Sequence, residues 1–183
     1  MFIQTETTPN PATLKFIPGR AVMSEGTAQF ATADAAAERS PLAQRLFGIG
    51  GVTGVFLGSD FISVTKDGAQ DWFQLKPSIL AAIMEHYTSG RPVVLEQTGP
   101  VSATGEADNE TVAAIKELIE TRVRPAVAQD GGDIVFEHFE DGVVYLQMHG
   151  ACSGCPSSTA TLKAGIENML RHYIPEVVEV RAL

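Results

Sequence analysis

Val-Val-Tyr-Leu-Gln-Met-His-Gly-Ala-Cys-Ser-Gly-Cys-Pro-Ser-Ser, residues 143–158, is the stretch on which the reading of this chain turns. Residues 143–149 alternate apolar and polar as a strand does, and the small residues that follow break the pattern. Ser157 or Ser158 can then cap a helix running to about Tyr173. The loop between strand and helix holds Cys152 and Cys155, the 2 cysteines of this 183-residue chain. Two residues between the thiols let both sulfurs converge on one centre, and Gly150, Ser153 and Gly154 leave the backbone room to wrap it. A helix start offers unpaired N–H groups and the positive end of a dipole, so thiolate, or an anionic cluster held by thiolates, is favoured there.

Upstream of this corner, Asp108 or Asn109 opens a helix on which Val112, Ile115, Leu118, Ile119 and Val123 recur at helical spacing, and Pro125 should kink its last turns. Asp130-Gly131-Gly132-Asp133 ends it; a helix-ending turn explains two aspartates flanking two glycines without a bound cation. Ile134–Phe139 and Val143–His149 form a hairpin around Glu140-Asp141-Gly142. Past the corner, Leu162, Ile166, Met169 and Leu170 supply the core face of the second helix, and Val177–Arg181 makes a last strand. The order is helix, strand, strand, helix, strand.

Residues 97–107, Gln-Thr-Gly-Pro-Val-Ser-Ala-Thr-Gly-Glu-Ala, have the composition of a flexible linker. Before it, Phe2–Thr5 and Thr13–Ile17 read as short strands, and residues 32–39 as a loop or weak helical turn. Ser40-Pro41 starts a short helix through Phe47, and Val52–Leu57 with Phe61–Lys66 forms a hairpin. Asp71–Tyr87 is helical in period, with Trp72, Leu75, Ile79, Ile83 and Tyr87 on one side and Pro77 expected to break or start part of it. The expectation is therefore two small α+β domains, residues 1–96 with an antiparallel sheet and residues 108–183 with the cysteines, joined by the linker.

Composition narrows the classes. Apolar residues make up 44% and charged residues 19%, and no apolar run reaches the length of a membrane span. Residues 1–9 lack the basic and apolar regions of a secretion signal and the Arg-rich look of a transit peptide, so a cytoplasmic protein is expected. A net charge of -9 argues against nucleic acid as partner. Residues 1–97 carry 7 Lys and Arg against 9 Asp and Glu, whereas residues 105–183 carry 6 against 13, so the acidity sits with the cysteines. Solubility accounts for it, and an acidic face could also dock basic partners.

An iron-sulfur cluster is usually held by four thiolates, and a structural zinc ion by four Cys or His ligands. One chain supplies two thiols. Either two protomers pool theirs around iron-sulfur or zinc, or exogenous thiols complete the shell, or the pair does disulfide chemistry as in thioredoxin. The context argues against the last, because a thioredoxin pair follows an early strand of a βαβ unit and here a helix and a hairpin come first. His149, three residues before Cys152, could be a ligand or proton acceptor, but a strand-end histidine facing water is expected. His86, His138 and His172 show no metal spacing, residues 48–54 are glycine-rich without a nucleotide-binding pattern, and no nucleophile-base pair can be read out.

Asp-Gly-Gly-Asp at 130–133, followed by Gly-Ala-Cys-Ser-Gly-Cys-Pro-Ser-Ser-Thr-Ala-Thr-Leu-Lys-Ala-Gly-Ile-Glu at 150–167, resembles the NifU-type C-terminal domain of the Nfu iron-sulfur cluster carriers. Thr-Pro-Asn-Pro-Ala-Thr-Leu-Lys-Phe at 8–16 is similar to the start of the N-terminal domain in the family's two-domain members. The resemblance implies a non-enzymatic scaffold or carrier, with Cys152 and Cys155 holding a 4Fe-4S cluster between two protomers and passing it to apo iron-sulfur proteins. It also implies an N-terminal domain that docks clients or cluster-assembly proteins.

Overall fold

Two separate hydrophobic clusters organise the chain, one drawn from Ile3 to Ile83 and the other from Ile115 to Val180. The computed structural model describes residues 1–95, 110–153 and 156–183, and the chain divides into two compact units, residues 1–98 and 99–183. The linker expected at 97–107 and the N-cap expected at Asp108 or Asn109 lie outside the described residues. Both units are α+β, as the sequence suggests.

The first unit runs β1 (Gln4–Thr7), β2 (Thr13–Ile17), β3 (Ala28–Phe30), α1 (Ala33–Arg39), α2 (Pro41–Phe47), β4 (Val52–Leu57), β5 (Ile62–Lys66) and α3 (Trp72–Ser89). Its sheet is antiparallel throughout, in the order β1-β2-β5-β4-β3. Cross-strand register lines up Leu14, Val64, Val55 and Phe30 on one face, and α3 lays Leu75, Ile79 and Ile83 into the same cluster. Burying each such side chain contributes about 1.5–3 kcal/mol, which is what binds helix to sheet.

Three features differ from the sequence reading. β3 is only three residues long, too short to show a period. Residues 32–39, expected as a loop or a weak helical turn, take the helical alternative as a full helix of 7 residues: Thr32 caps α1 by accepting from the Ala35 N–H at 3.3 Å, and Ser40 ends α1 and caps α2 by accepting from the Ala43 N–H at 3.0 Å. Pro77 stands inside α3 without ending it. The bond it cannot donate would go to the carbonyl of Phe73, in the first turn, where the side chain is 92% exposed.

The second unit runs α4 (Glu110–Leu118), a π-turn (Ile119–Val123), α5 (Arg124–Gln129), β6 (Gly132–Glu140), β7 (Val143–Gly150), α6 (Pro156–Tyr173) and β8 (Glu179–Ala182). β7 is central, antiparallel to β6 and parallel to β8. Asp141 (φ 50°) and Gly142 (φ 78°) turn β6 into β7 with the two left-handed positions that a tight hairpin needs. The inward row Ile134, Val144, Leu146, Met148 and Val180 meets Ile115, Ile119 and Val123 from one side and Ile166 and Leu170 from the other helix. Pro125 acts one turn earlier than a simple kink would. It lacks an N–H, and the preceding turn widens so that the Arg124 N–H reaches the Ile119 carbonyl. α6 starts at Pro156, ahead of the serines read as its cap, since proline suits a first turn whose N–H groups go unpaired anyway.

Candidate metal centre

The cysteine corner is built where the start of β6 meets the end of β7. Gly132 pairs with Gly150 and Asp133 with His149. Beyond the pairing, the Ala151 N–H donates to the Gly131 carbonyl at 3.2 Å and the Ser153 N–H to the Gly150 carbonyl at 3.1 Å. Gly150 takes φ 64°, the left-handed turn that swings the chain out of the strand. From α6, the Thr159 hydroxyl donates to the Cys152 carbonyl at 3.1 Å, so strand and helix both fix this peptide.

Cys152 is placed inward. It is 5% exposed and belongs to the second unit's core cluster. Burial pushes its thiol up to about 12, and the negative charges of Asp130 and Asp133 push the same way. Cys152 itself stands four residues ahead of α6, where burial and the two carboxylates favour the neutral thiol. Cys155, the other expected ligand, lies outside the described residues. Among the described residues, no three His, Cys, Asp or Glu side chains gather as a metal site.

What the sequence reading missed is how the corner is held. Asp130 and Gly131 do end a helix, with Gly131 at φ 78°, but Asp133 does something else. It is 3% exposed, and both its carboxylate oxygens accept from the Arg124 guanidinium, from Nε and Nη2 at 2.8 Å each. Asp133 Oδ1 also accepts from the Ile134 N–H at 2.8 Å, and Arg124 reaches Glu120 at 2.6 Å. This bidentate pair holds the guanidinium firmly charged and pins the first residues of β6 to the helix before them. The π-turn sets Arg124 at that point, a coupling invisible to periodicity. Gly132 is the second missed residue: a Cβ there would overlap Cys152 Sγ and stand 2.8 Å from the His149 carbonyl oxygen.

The histidines each have their own surroundings. His149 is half-buried rather than facing water, and burial lowers its pKa against the opposing charges of Asp133 and Glu137. His138 stacks on Tyr145 at 4.2 Å, His172 meets Tyr173 edge-on, and His86 is buried in the first unit.

Two small α+β units, the second carrying its cysteines between strand and helix, define the layout of a two-domain C-x-x-C protein. The profile described as "Scaffold protein Nfu/NifU N terminal" matches residues 3–90, and that described as "NifU-like domain" matches residues 115–181. The chain is 56% identical over 178 residues to the human "NFU1 iron-sulfur cluster scaffold homolog, mitochondrial", covering 97% of this chain and 70% of that protein. It is 54% identical over 182 residues to the Arabidopsis thaliana "NifU-like protein 4, mitochondrial", covering 97% of this chain and 64% of that protein, so it spans less than two thirds of the plant relative. A solved NifU-like protein from Saccharomyces cerevisiae is 27% identical, with a TM-score of 0.48 over 53% of this chain and 87% of that one. The chain belongs to the Nfu/NifU scaffold family.

The expectation of a cytoplasmic protein is overturned by these matches, because the human and Arabidopsis relatives are both named as mitochondrial. The composition of residues 1–9, on which that expectation rested, does not decide a compartment. No helix among the described residues is long and apolar enough to cross a membrane.

Proposed function

We propose that this chain is an iron-sulfur cluster carrier, not an enzyme, in which Cys152 and Cys155 of two protomers together hold one 4Fe-4S cluster for delivery to apo-proteins. Family membership supports the iron-sulfur scaffold role, since relatives at 56% and 51% identity bear that name. The observation that carries the ligand assignment is the seat of Cys152 between β7 and α6, tied to Gly131, one residue ahead of β6, by the Ala151 N–H and to α6 by Thr159. Two thiols per chain fall short of the four a cluster takes, and a two-fold axis through the cluster supplies the rest. Residues 1–96 form the domain that docks clients or assembly partners, residues 97–107 the linker and residues 108–183 the cluster-binding domain.

Cluster transfer is then ligand exchange, one protein thiolate replaced by one acceptor thiolate at a time. The test is substitution. Cys152→Ala and Cys155→Ala should each abolish cluster retention after anaerobic reconstitution while the far-UV dichroism stays that of the parent. A single variant that keeps a full complement of iron and sulfide removes that cysteine from the ligand set.

A further inference from the structure

We propose that Gly132 is a positioning residue for cluster release: its bare Cα forms a seat into which the Cys152 side chain withdraws once it has let go of iron. The inference rests on the reading of Cys152 as a cluster ligand. A ligand shared with a second protomer must reach the surface, yet Cys152 is 5% exposed, packed in one cluster with Met148, Ile166 and Leu170. That is the position of a ligand put away. The seat exists only because residue 132 has no side chain: a Cβ would overlap Cys152 Sγ and lie 2.8 Å from the His149 carbonyl oxygen and 3.0 Å from the Cys152 nitrogen. Nor can the floor yield easily. Gly132 is paired with Gly150, Ala151 is bonded to Gly131, and the adjoining Asp133 is clamped by Arg124.

The chemistry is redox-neutral. An acceptor thiol's sulfur bonds to iron as the bond from iron to the Cys152 sulfur breaks, the acceptor's proton ends on that sulfur, and no electron changes hands. Withdrawal into the seat then removes the freed thiol from competition for the same iron, which biases the exchange toward the acceptor.

The first arm of the test needs no cluster. In the reduced full chain carrying Cys155→Ser, Cys152 is the single thiol, and its alkylation by iodoacetamide should be about a hundredfold slower in the folded than in the urea-unfolded chain. Gly132→Ala in that background should speed alkylation about tenfold or more. In the second arm, chains with both cysteines, with and without Gly132→Ala, are reconstituted anaerobically, and transfer to an apo-ferredoxin is followed by circular dichroism. The variant should load its cluster but deliver it several-fold more slowly. Two results overturn the proposal: Cys152 alkylating as fast in the folded chain as in the unfolded one, or Gly132→Ala exposing the thiol while transfer keeps its parental rate. Failure of Gly132→Ala to fold leaves the decision to the folded-against-unfolded comparison, which uses the native glycine. Parental chain that takes up no cluster refutes the carrier reading instead, and the alkylation arm tells the two failures apart.

Discussion

Arg124→Met would isolate the contribution of the buried pair near Cys152. Met keeps much of the apolar stem and removes the guanidinium, so Asp133 loses both bonds at 2.8 Å and retains the Ile134 N–H at 2.8 Å. A carboxylate 3% exposed and stripped of its cation costs about 3–5 kcal/mol. Asp133→Asn should cost less, about 1–2 kcal/mol, since the Arg124 side chain is 28% exposed and keeps Glu120 at 2.6 Å. Native-state hydrogen exchange of the slow β6 and β7 amides in the full chain reads the second unit directly. Equal losses under about 1 kcal/mol in both variants would refute the claim that a buried ion pair holds this corner.

Other outcomes follow from the same geometry. His86 is 2% exposed in the first unit, and burial, then the charges of Arg45 and Arg91, hold it below the ordinary 6.5. Stability of that unit should be flat above pH 6.5, then fall toward the depressed folded value by at most about 1.4 kcal/mol per pH unit as the unfolded chain alone takes the proton. Fluorescence of Trp72, the chain's single tryptophan, during urea unfolding tests this, and His86→Phe should flatten the slope. Pro77→Ala should raise the first unit's stability by about 1–3 kcal/mol by restoring a helical bond, read by the same fluorescence; an unchanged midpoint would show that the bond is not missed. Gly131→Ala, at φ 78°, should cost the second unit about 1 kcal/mol in hydrogen exchange, the strain of a left-handed alanine.

How much of this was legible depended on the range of each signal. Alternation in Val143–His149 and helical spacing at Ile115, Ile119, Ile166 and Leu170 are local patterns, and the structure realises them as the strand and helices around the corner. β3 escaped because three residues carry no period, and Thr32 escaped as a cap because an alanine-rich segment such as 33–39 has no apolar stripe to announce a helix. The site divides in the same way. Cys152 stands out by composition, but its burial depends on Gly132, twenty positions upstream and brought beneath it only by β6–β7 pairing. Arg124 and Asp133 sit nine residues apart, a spacing no helix or strand favours, and they meet because the π-turn ahead of Pro125 rotates one while β6 fixes the other. A proline late in a helix followed by Asp-Gly-Gly-Asp was the available signal, and its meaning lies in three dimensions.

The central claim is that two chains combine their thiols around one cluster. Reconstituting the full chain without oxygen and measuring iron, acid-labile sulfide and molecular mass on one sample tests it most directly. About four irons and four sulfides at the mass of a dimer is the expected result; a cluster-loaded species at the mass of one chain, with no added thiol, would contradict it.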